Sequence, residues 1–197
     1  MPTPVLSSPT PAEWRRILRQ RRLALPPRYR ARAAQQLAAR ASKLLRRGQR
    51  IALYVAQGSE IDVAPLLRRA LQRRCRVFFP VVPARGRRMH FAELIPQACW
   101  YRNRYGIAEL SGRPYSVRQF DRVFMPLLGF DAQGNRLGQG GGYYDATLAF
   151  RRTWRLLTRP HLVGVAFECQ RVLALHPDPW GVRLDVVLTE CALYRMR

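Results

Sequence analysis

Lysine is almost absent from this 197-residue chain. Lys43 is the only one, although lysine and arginine together number 35. Acids are scarce too, 12 in all, so arginine carries a formal net charge of +23. The planar guanidinium suits phosphate and carboxylate, and a field this strong attracts polyanions such as nucleic acid, ATP and polycarboxylates. The cations run through the whole chain rather than gathering in one tail, which reads first as compositional bias and does not establish nucleic-acid binding. Histidine occurs three times (His90, His161, His176) and cysteine four (Cys75, Cys99, Cys169, Cys191). No CxxC pair and no zinc-ligand spacing is present, which leaves ordinary reduced thiols as the expectation. No apolar run approaches the roughly 18–20 residues that span a bilayer. The opening MPTPVLSSPTP has neither a basic start nor an apolar centre, so it is not expected to act as a signal peptide. A cytoplasmic protein without a membrane segment is expected.

What is present has the pattern of a layered α/β domain. Residues 1–10 are rich in Pro and Ser and are expected to be disordered. Thr10-Pro11-Ala12-Glu13 reads as a capping box with Pro in the first turn, opening a helix from about Pro11 to Leu25 that carries Arg15, Arg16, Arg19, Arg21 and Arg22. A second helix is expected from about Arg28 to Arg47, ended by Gly48. The pattern then shortens. Ile51–Val55 reads as a buried strand, Asp62 as the cap of a helix to about Arg74, and Arg76–Phe79 as a strand closed by Pro80. The inner face of that helix is expected to be Val63, Leu66, Leu67, Ala70 and Leu71. Strand, helix and strand within about 30 residues make a βαβ unit with parallel strands. Further strands are expected at Arg88–Leu94, Asp121–Met125, His161–Phe167, Leu184–Thr189 and Ala192–Arg195, with a helix from about Gly142 to Arg151. The fold class is thus one α/β domain over residues 11–197, with a mostly parallel, Rossmann-like central sheet flanked by helices.

Between the Asp121–Met125 strand and that last helix lies the most distinctive stretch, MPLLGFDAQGNRLGQGGGYYD. Four glycines, Gly138, Gly140, Gly141 and Gly142, fall within five positions. Glycine costs backbone entropy, so such a cluster implies bare N–H groups aimed at an anion. A helix start adds its positive dipole end, Arg136 just before it can neutralise phosphate, and the Asp145 carboxylate just after it can hold a metal ion. The stretch is neither a Walker loop, since GxxxxGK[ST] is absent, nor a dinucleotide loop, since Tyr143 stands where Gly or Ala would be needed.

This stretch resembles the signature of the 5-formyltetrahydrofolate cyclo-ligase family, P-x-hydrophobic-x-F-D-x-x-G-x-R-L-G-x-G-x-G-Y/F-Y-D. Pro126, Phe130, Asp131, Gly134, Arg136, Leu137, Gly138, Gly140, Gly142, Tyr143, Tyr144 and Asp145 all fall in place. The basic helix at Trp14–Leu25, the acidic segment Gly58–Asp62, the Gly106-Ile-Ala-Glu109 stretch, and the segments Val163–Phe167 and Asp185–Glu190 are similar to the rest of the family's pattern. Two positions depart from it. Pro11 stands where a lysine is common, and Gly181 where a second metal-binding Asp is expected, with Asp178 and Asp185 nearby.

The resemblance implies an ATP-dependent ligase that activates the formyl oxygen of 5-formyltetrahydrofolate by phosphorylation. N10 then attacks and 5,10-methenyltetrahydrofolate forms, by positioning and charge stabilisation rather than a nucleophile triad. ATP would be held by Arg15, Arg136, Leu137, Gly138, Gln139, Gly140, Gly141, Gly142, Tyr143 and Tyr144, with Arg136 and Tyr144 acting in catalysis and Asp145 binding Mg²⁺. The folate would meet Tyr54, Val55, Glu60, Met89, Tyr105, Gly140, Gly142 and Tyr143. Glu60 would accept the pterin's paired N–H groups, and Phe91 is a further candidate for the slot, though better read as core. The substrate would be a monomer's small-molecule partner, with or without a polyglutamate tail, and nucleic acid would not be required. Two rivals remain: a relative with weakened catalysis that binds folate or nucleotide as a regulator, and a basic nucleic-acid-binding protein.

Overall fold

The computed structural model describes residues 9–153, 159–176 and 178–196, so residues 1–8 of the expected disordered segment lie outside the described residues. Thr10 opens α1 (Pro11–Leu23) with a complete capping box. Its N–H and its hydroxyl donate to Glu13 Oε2 at 2.7 and 2.8 Å, and the Glu13 N–H donates back at 3.3 Å. The helix stops two residues before Leu25 because Pro26 disfavours the helical conformation of the residue before it. Pro27 then starts α2 (Pro27–Ala41). This helix ends earlier than the sequence suggests. The Ser42 hydroxyl donates to the Ala38 carbonyl at 3.2 Å, a tighter turn follows at Ser42–Leu44, and Leu45 drops into the core.

The centre is a seven-stranded sheet of order β11-β10-β9-β6-β1-β2-β3. Its members are β1 (Arg50–Ala52), β2 (Arg76–Val81), β3 (His90–Glu93), β6 (Arg122–Pro126), β9 (His161–Val165), β10 (Val186–Leu188) and β11 (Leu193–Arg195). The five inner strands are parallel, and β3 and β11 close the edges antiparallel. α3 (Ala64–Gln72) makes the crossover from β1 to β2, which is the βαβ unit expected. The cap position itself is Val63 rather than Asp62, but Asp62 Oδ1, one residue earlier, accepts from the Ala64 N–H at 2.8 Å. Leu71, assigned to the inner face, is instead exposed, while Leu66 and Ala70 are fully buried.

Val123, Phe124 and Met125 of β6 are all fully buried. Alternation sends them to opposite faces. Phe124 joins the core under α2 and α3, with Leu37 and Leu66. Val123 and Met125 join the other core, with Phe78, Phe91 and Phe120. Each such side chain contributes roughly 1.5–3 kcal/mol by leaving water, and a strand covered on both faces reads as the continuous apolar run seen in the sequence.

Three differences bear on the site. Pro80 lies inside β2 rather than closing it. β1 pairs only as far as Phe78, so beyond that point β2 is single-sided and tolerates a residue without an N–H. The expected helix 142–151 is two short pieces, α4 (Tyr143–Thr147) and α5 (Phe150–Thr153). The Thr147 hydroxyl donates to the Tyr143 carbonyl at 2.6 Å, a back-bond that competes with helix continuation, and Leu148 turns into the core. Two hairpins lie outside the expected elements: β4 (Trp100–Arg102) with β5 (Ala108–Leu110), and β7 (Gly129–Phe130) with β8 (Arg136–Leu137).

Candidate functional site

A cleft of about 1220 Å³ opens where β1, β2 and β6 end. Parallel sheets place ligands at these carboxyl ends. Tyr54, Val55, Pro80, Val82 and Pro126 form its floor, and four segments wall it: α1, the 57–60 turn, the β4–β5 hairpin and the glycine loop. Every residue predicted to meet ATP, folate or metal lines this cleft except Leu137, and of the weaker candidates Phe91 and Asp185 do not. Leu137 is buried beside Leu18, Val172 and Leu175, so its side chain anchors the loop to α1 instead of touching a ligand.

The loop is fixed from below by Asp131. This buried carboxylate accepts from the N–H groups of Gln133 and Asn135 at 3.0 Å each, from Asn135 Nδ2 at 2.8 Å and from the Leu175 N–H at 3.0 Å. Gly134 completes the β7–β8 turn at φ +80°, where a Cβ would lie 2.9 Å from the Leu184 carbonyl oxygen. Arg136 leaves that turn and its Nη2 donates to Asp145 Oδ1 at 2.5 Å. The phosphate-binding and metal-binding candidates therefore hold each other in the free protein. Arg136 Nε is buried and has no acceptor among the described residues.

Arg15 reaches the loop and donates from Nε to the Gly138 carbonyl at 3.0 Å. Gly140 follows at φ +104°, and Gly142, at φ +68°, precedes α4. Because α4 has five residues, its dipole is that of little more than one turn, less than the long helix expected would supply. Arg19 Nη2 donates to Gln139 Oε1 at 3.0 Å, and Gln139 Nε2 donates to Glu60 Oε1 at 3.2 Å. Gln139 thus joins α1 to the 57–60 turn, where Glu60 Oε2 accepts from the Gln57 N–H at 3.0 Å.

The aromatic wall is arranged around hydroxyls. Tyr54 is buried and donates to the Ile61 carbonyl at 2.9 Å. Burial, and then the Glu60 carboxylate, push the Tyr144 phenol well above its usual range, so it stays a neutral donor. Tyr105 and Tyr143 bring their hydroxyls to 2.7 Å of each other. That bond, with Arg104, pulls Tyr105 below its usual range. Met89 borders the cleft, whereas Phe91 is fully buried in the core.

Arg19, Arg22 and Glu109 were not singled out from the sequence, yet all three line the cleft. Arg15, Arg19 and Arg22 follow helical spacing, a face that the periodicity of α1 could have exposed. Arg22 is buried and donates from Nε to Ser59 Oγ at 2.8 Å. Glu109 is buried and accepts from the Val82 N–H, Tyr101 Oη and Asn103 Nδ2 at 2.7–2.9 Å.

For a divalent cation the donor set is partial. Among the described residues no three His, Cys, Asp or Glu gather as ligands. Asp145 Oδ2 has no partner among them, and Asp178 lines the same cleft. One or two carboxylates completed by nucleotide oxygens and water is how Mg²⁺ is commonly held, so these residues fit that ion. Asp185 does not face the cleft, because it pairs with Arg151 at 2.9 Å beside a different cavity. Nor does Gly181, where a Cβ would meet the Asp178 carbonyl oxygen at 3.0 Å.

Residues 8–190 match the model of the 5-formyltetrahydrofolate cyclo-ligase family. The 5-formyltetrahydrofolate cyclo-ligase of Escherichia coli K12 is 33% identical over 180 residues, covering 88% of this chain and 96% of that protein. Its Mus musculus counterpart is 26% identical over 150 residues, covering 72% of this chain and 73% of that one. The solved structure of Aquifex aeolicus 5,10-methenyltetrahydrofolate synthetase aligns with a TM-score of 0.77 at 26% identity, covering 95% of this chain and 93% of that one. Signature, sheet and sequence agree along almost the whole length, and the chain belongs to the 5-formyltetrahydrofolate cyclo-ligase family.

Proposed function

We propose that the protein converts 5-formyltetrahydrofolate to 5,10-methenyltetrahydrofolate, with ATP cleaved to ADP and phosphate. The observation that supports this most is that one cleft joins the glycine loop with its two arginines to a slot of tyrosines, Met89 and Glu60. Phosphate chain and flat heterocycle can therefore meet end to end.

Arg15, Arg136 and the N–H groups of Gly138–Gly142 bind the ATP phosphates, and the buried Arg136 Nε gains its missing acceptor there. Glu60 orients the pterin by accepting two N–H groups, and Tyr54, Val55, Met89, Tyr105 and Tyr143 enclose it. The formyl oxygen attacks the γ-phosphorus and ADP departs. N10 then attacks the formyl carbon, the C–O bond breaks, phosphate leaves with that oxygen, and N10 gives up its proton. Arg136 and the neutral Tyr144 hydroxyl stabilise charge on the oxygens between the two substrates. Mg²⁺ at Asp145 would neutralise charge on the phosphates when bound. A second carboxylate for it is available in Asp178. Arg19 and Arg22 continue the arginine face of α1 along the cleft wall, from Arg15 toward the 57–60 turn and away from Pro11.

The test is direct. Protein mixed with 5-formyltetrahydrofolate and Mg-ATP is expected to develop methenyltetrahydrofolate absorbance, and to do so only with both substrates. Binding of both ligands without product would overturn the reading and leave a regulator with the same fold.

A further inference from the structure

A second cavity, about 990 Å³, lies at the opposite end of the sheet. Arg122, the first residue of β6, borders it, while Pro126, the last, borders the cleft. Strand rise places these residues roughly 13 Å apart. Five arginines line the cavity, Arg122, Arg151, Arg152, Arg183 and Arg195, together with His161. Against them stands a single acid among the described lining residues, Asp185. It is already taken up by Arg151 Nη2 at 2.9 Å and the Leu162 N–H at 2.7 Å.

The surplus is built into the strand register. Arg122 pairs with His161 across β6 and β9, and strand spacing holds the two about 5 Å apart at the cavity. Arg183 and Arg195 are exposed and make no ion pair with any described residue. Arg122 is half-buried, and burial first, then Arg46 and Arg159, pull its guanidinium below the usual range. His161 Nδ1 is buried without a partner among the described residues. A bias toward arginine in composition would scatter cations over the surface. It would not concentrate like charge around one concavity whose acid is already engaged.

The geometry points to a second anion site here, separate from the substrate cleft, for a compact oligophosphate: free tripolyphosphate or the phosphate chain of a nucleotide. Guanidinium groups match phosphate oxygens in pairs, and the concavity fits a short chain. Apart from His161, none of the described lining residues is aromatic. Among the described lining residues there is thus no stacking platform of the kind that single-stranded nucleic acid uses. Arg152 borders both cavities and is the one lining residue that the two share among those described.

Calorimetric titration of the full chain with tripolyphosphate at 150 mM salt tests the site. Gly140→Val, placed in the cleft, should leave this binding intact. The Arg183→Ala/Arg195→Ala pair should weaken it about tenfold, while Arg32→Ala/Arg68→Ala, which removes the same charge from exposed positions on α2 and α3, should not. Titrating ATP into Gly140→Val separates the sources: affinity equal to tripolyphosphate assigns the site to the phosphate chain, and tighter binding assigns it to a nucleotide. Three outcomes overturn the proposal: equal loss in both double variants, loss of all binding in Gly140→Val, or tighter binding of a 12-residue oligonucleotide than of tripolyphosphate.

Discussion

Gly140 is the residue at which backbone and chemistry are most closely tied. At φ +104° it holds a conformation that L side chains rarely adopt, and the Arg15 guanidinium lies 3.9 Å from where a Cβ would sit. Gly140→Val is therefore expected to strain the loop by about 1–3 kcal/mol and to block the backbone's approach to phosphate. Turnover should fall by about 100-fold or more. For a chain of this size that strain corresponds to a fall in melting temperature of roughly 2–12 °C, with the fold retained. Full activity in that variant would place the nucleotide elsewhere. Asp131 and Gly134 belong to the same signature for a different reason. Neither lines the cleft; they fold the turn that delivers Arg136. Within one run of residues the sequence thus mixes groups facing a ligand with groups that only shape the backbone. Residue type alone does not separate them, as Leu137 illustrates.

At the scale of elements, the β4–β5 hairpin brings Tyr105 to the cleft, and Glu109 holds it there through three hydrogen bonds. Glu109→Ala leaves a backbone N–H, a phenol and an amide short of an acceptor. Each costs about 1–3 kcal/mol if it stays buried. The expected result is faster hydrogen exchange over residues 99–111 with β6 unchanged, and a raised KM for the folate with a smaller change in kcat. Unchanged exchange in that segment would refute the anchoring role. This hairpin was not legible in the sequence. Its strands are three residues each, Trp100–Arg102 is exposed throughout, and no apolar alternation marks it. By contrast β6 and β9 were legible because burial on both faces writes an unbroken apolar run. The break between α4 and α5 lacks Gly or Pro. It arises from a Thr147 back-bond and from the pull of Leu148 into the core, both of which depend on the assembled fold.

At the scale of the whole molecule, the sheet has the tyrosine-lined cleft at one end and a cationic cavity at the other, and this sets its response to acid. Burial first, then Arg122, Arg151 and Arg195, hold His161 below its usual value of 6.5 against the opposing pull of Asp185. The unfolded chain then takes up a proton near pH 6.5 that the folded chain refuses, so stability is full above that pH and falls below it. Arg76 holds Glu93 below its usual 4.5, which adds a second loss as pH falls below that value. Melting temperature should therefore decline from pH 7.5 to 5.5 in the natural protein and more weakly in His161→Asn. A flat profile in the natural protein would contradict this. The charge behind it was countable in the sequence, but its concentration at the strand starts follows from register, which pairs Arg122 with His161 only once the sheet is assembled.

The links Arg136–Asp145 and Gln139–Glu60 have a thermodynamic consequence. Ligands entering the cleft exchange partners with it rather than adding to it. A nucleotide that draws on Arg136 and Gln139 loosens Glu60 for the pterin, and a pterin on Glu60 releases Gln139 toward the loop. Each substrate removes an internal competitor of the other, so their affinities should be reciprocal. A non-hydrolysable ATP analogue should tighten folate binding, the folate should tighten the analogue by the same factor, and Gln139→Ala should bring that factor toward one.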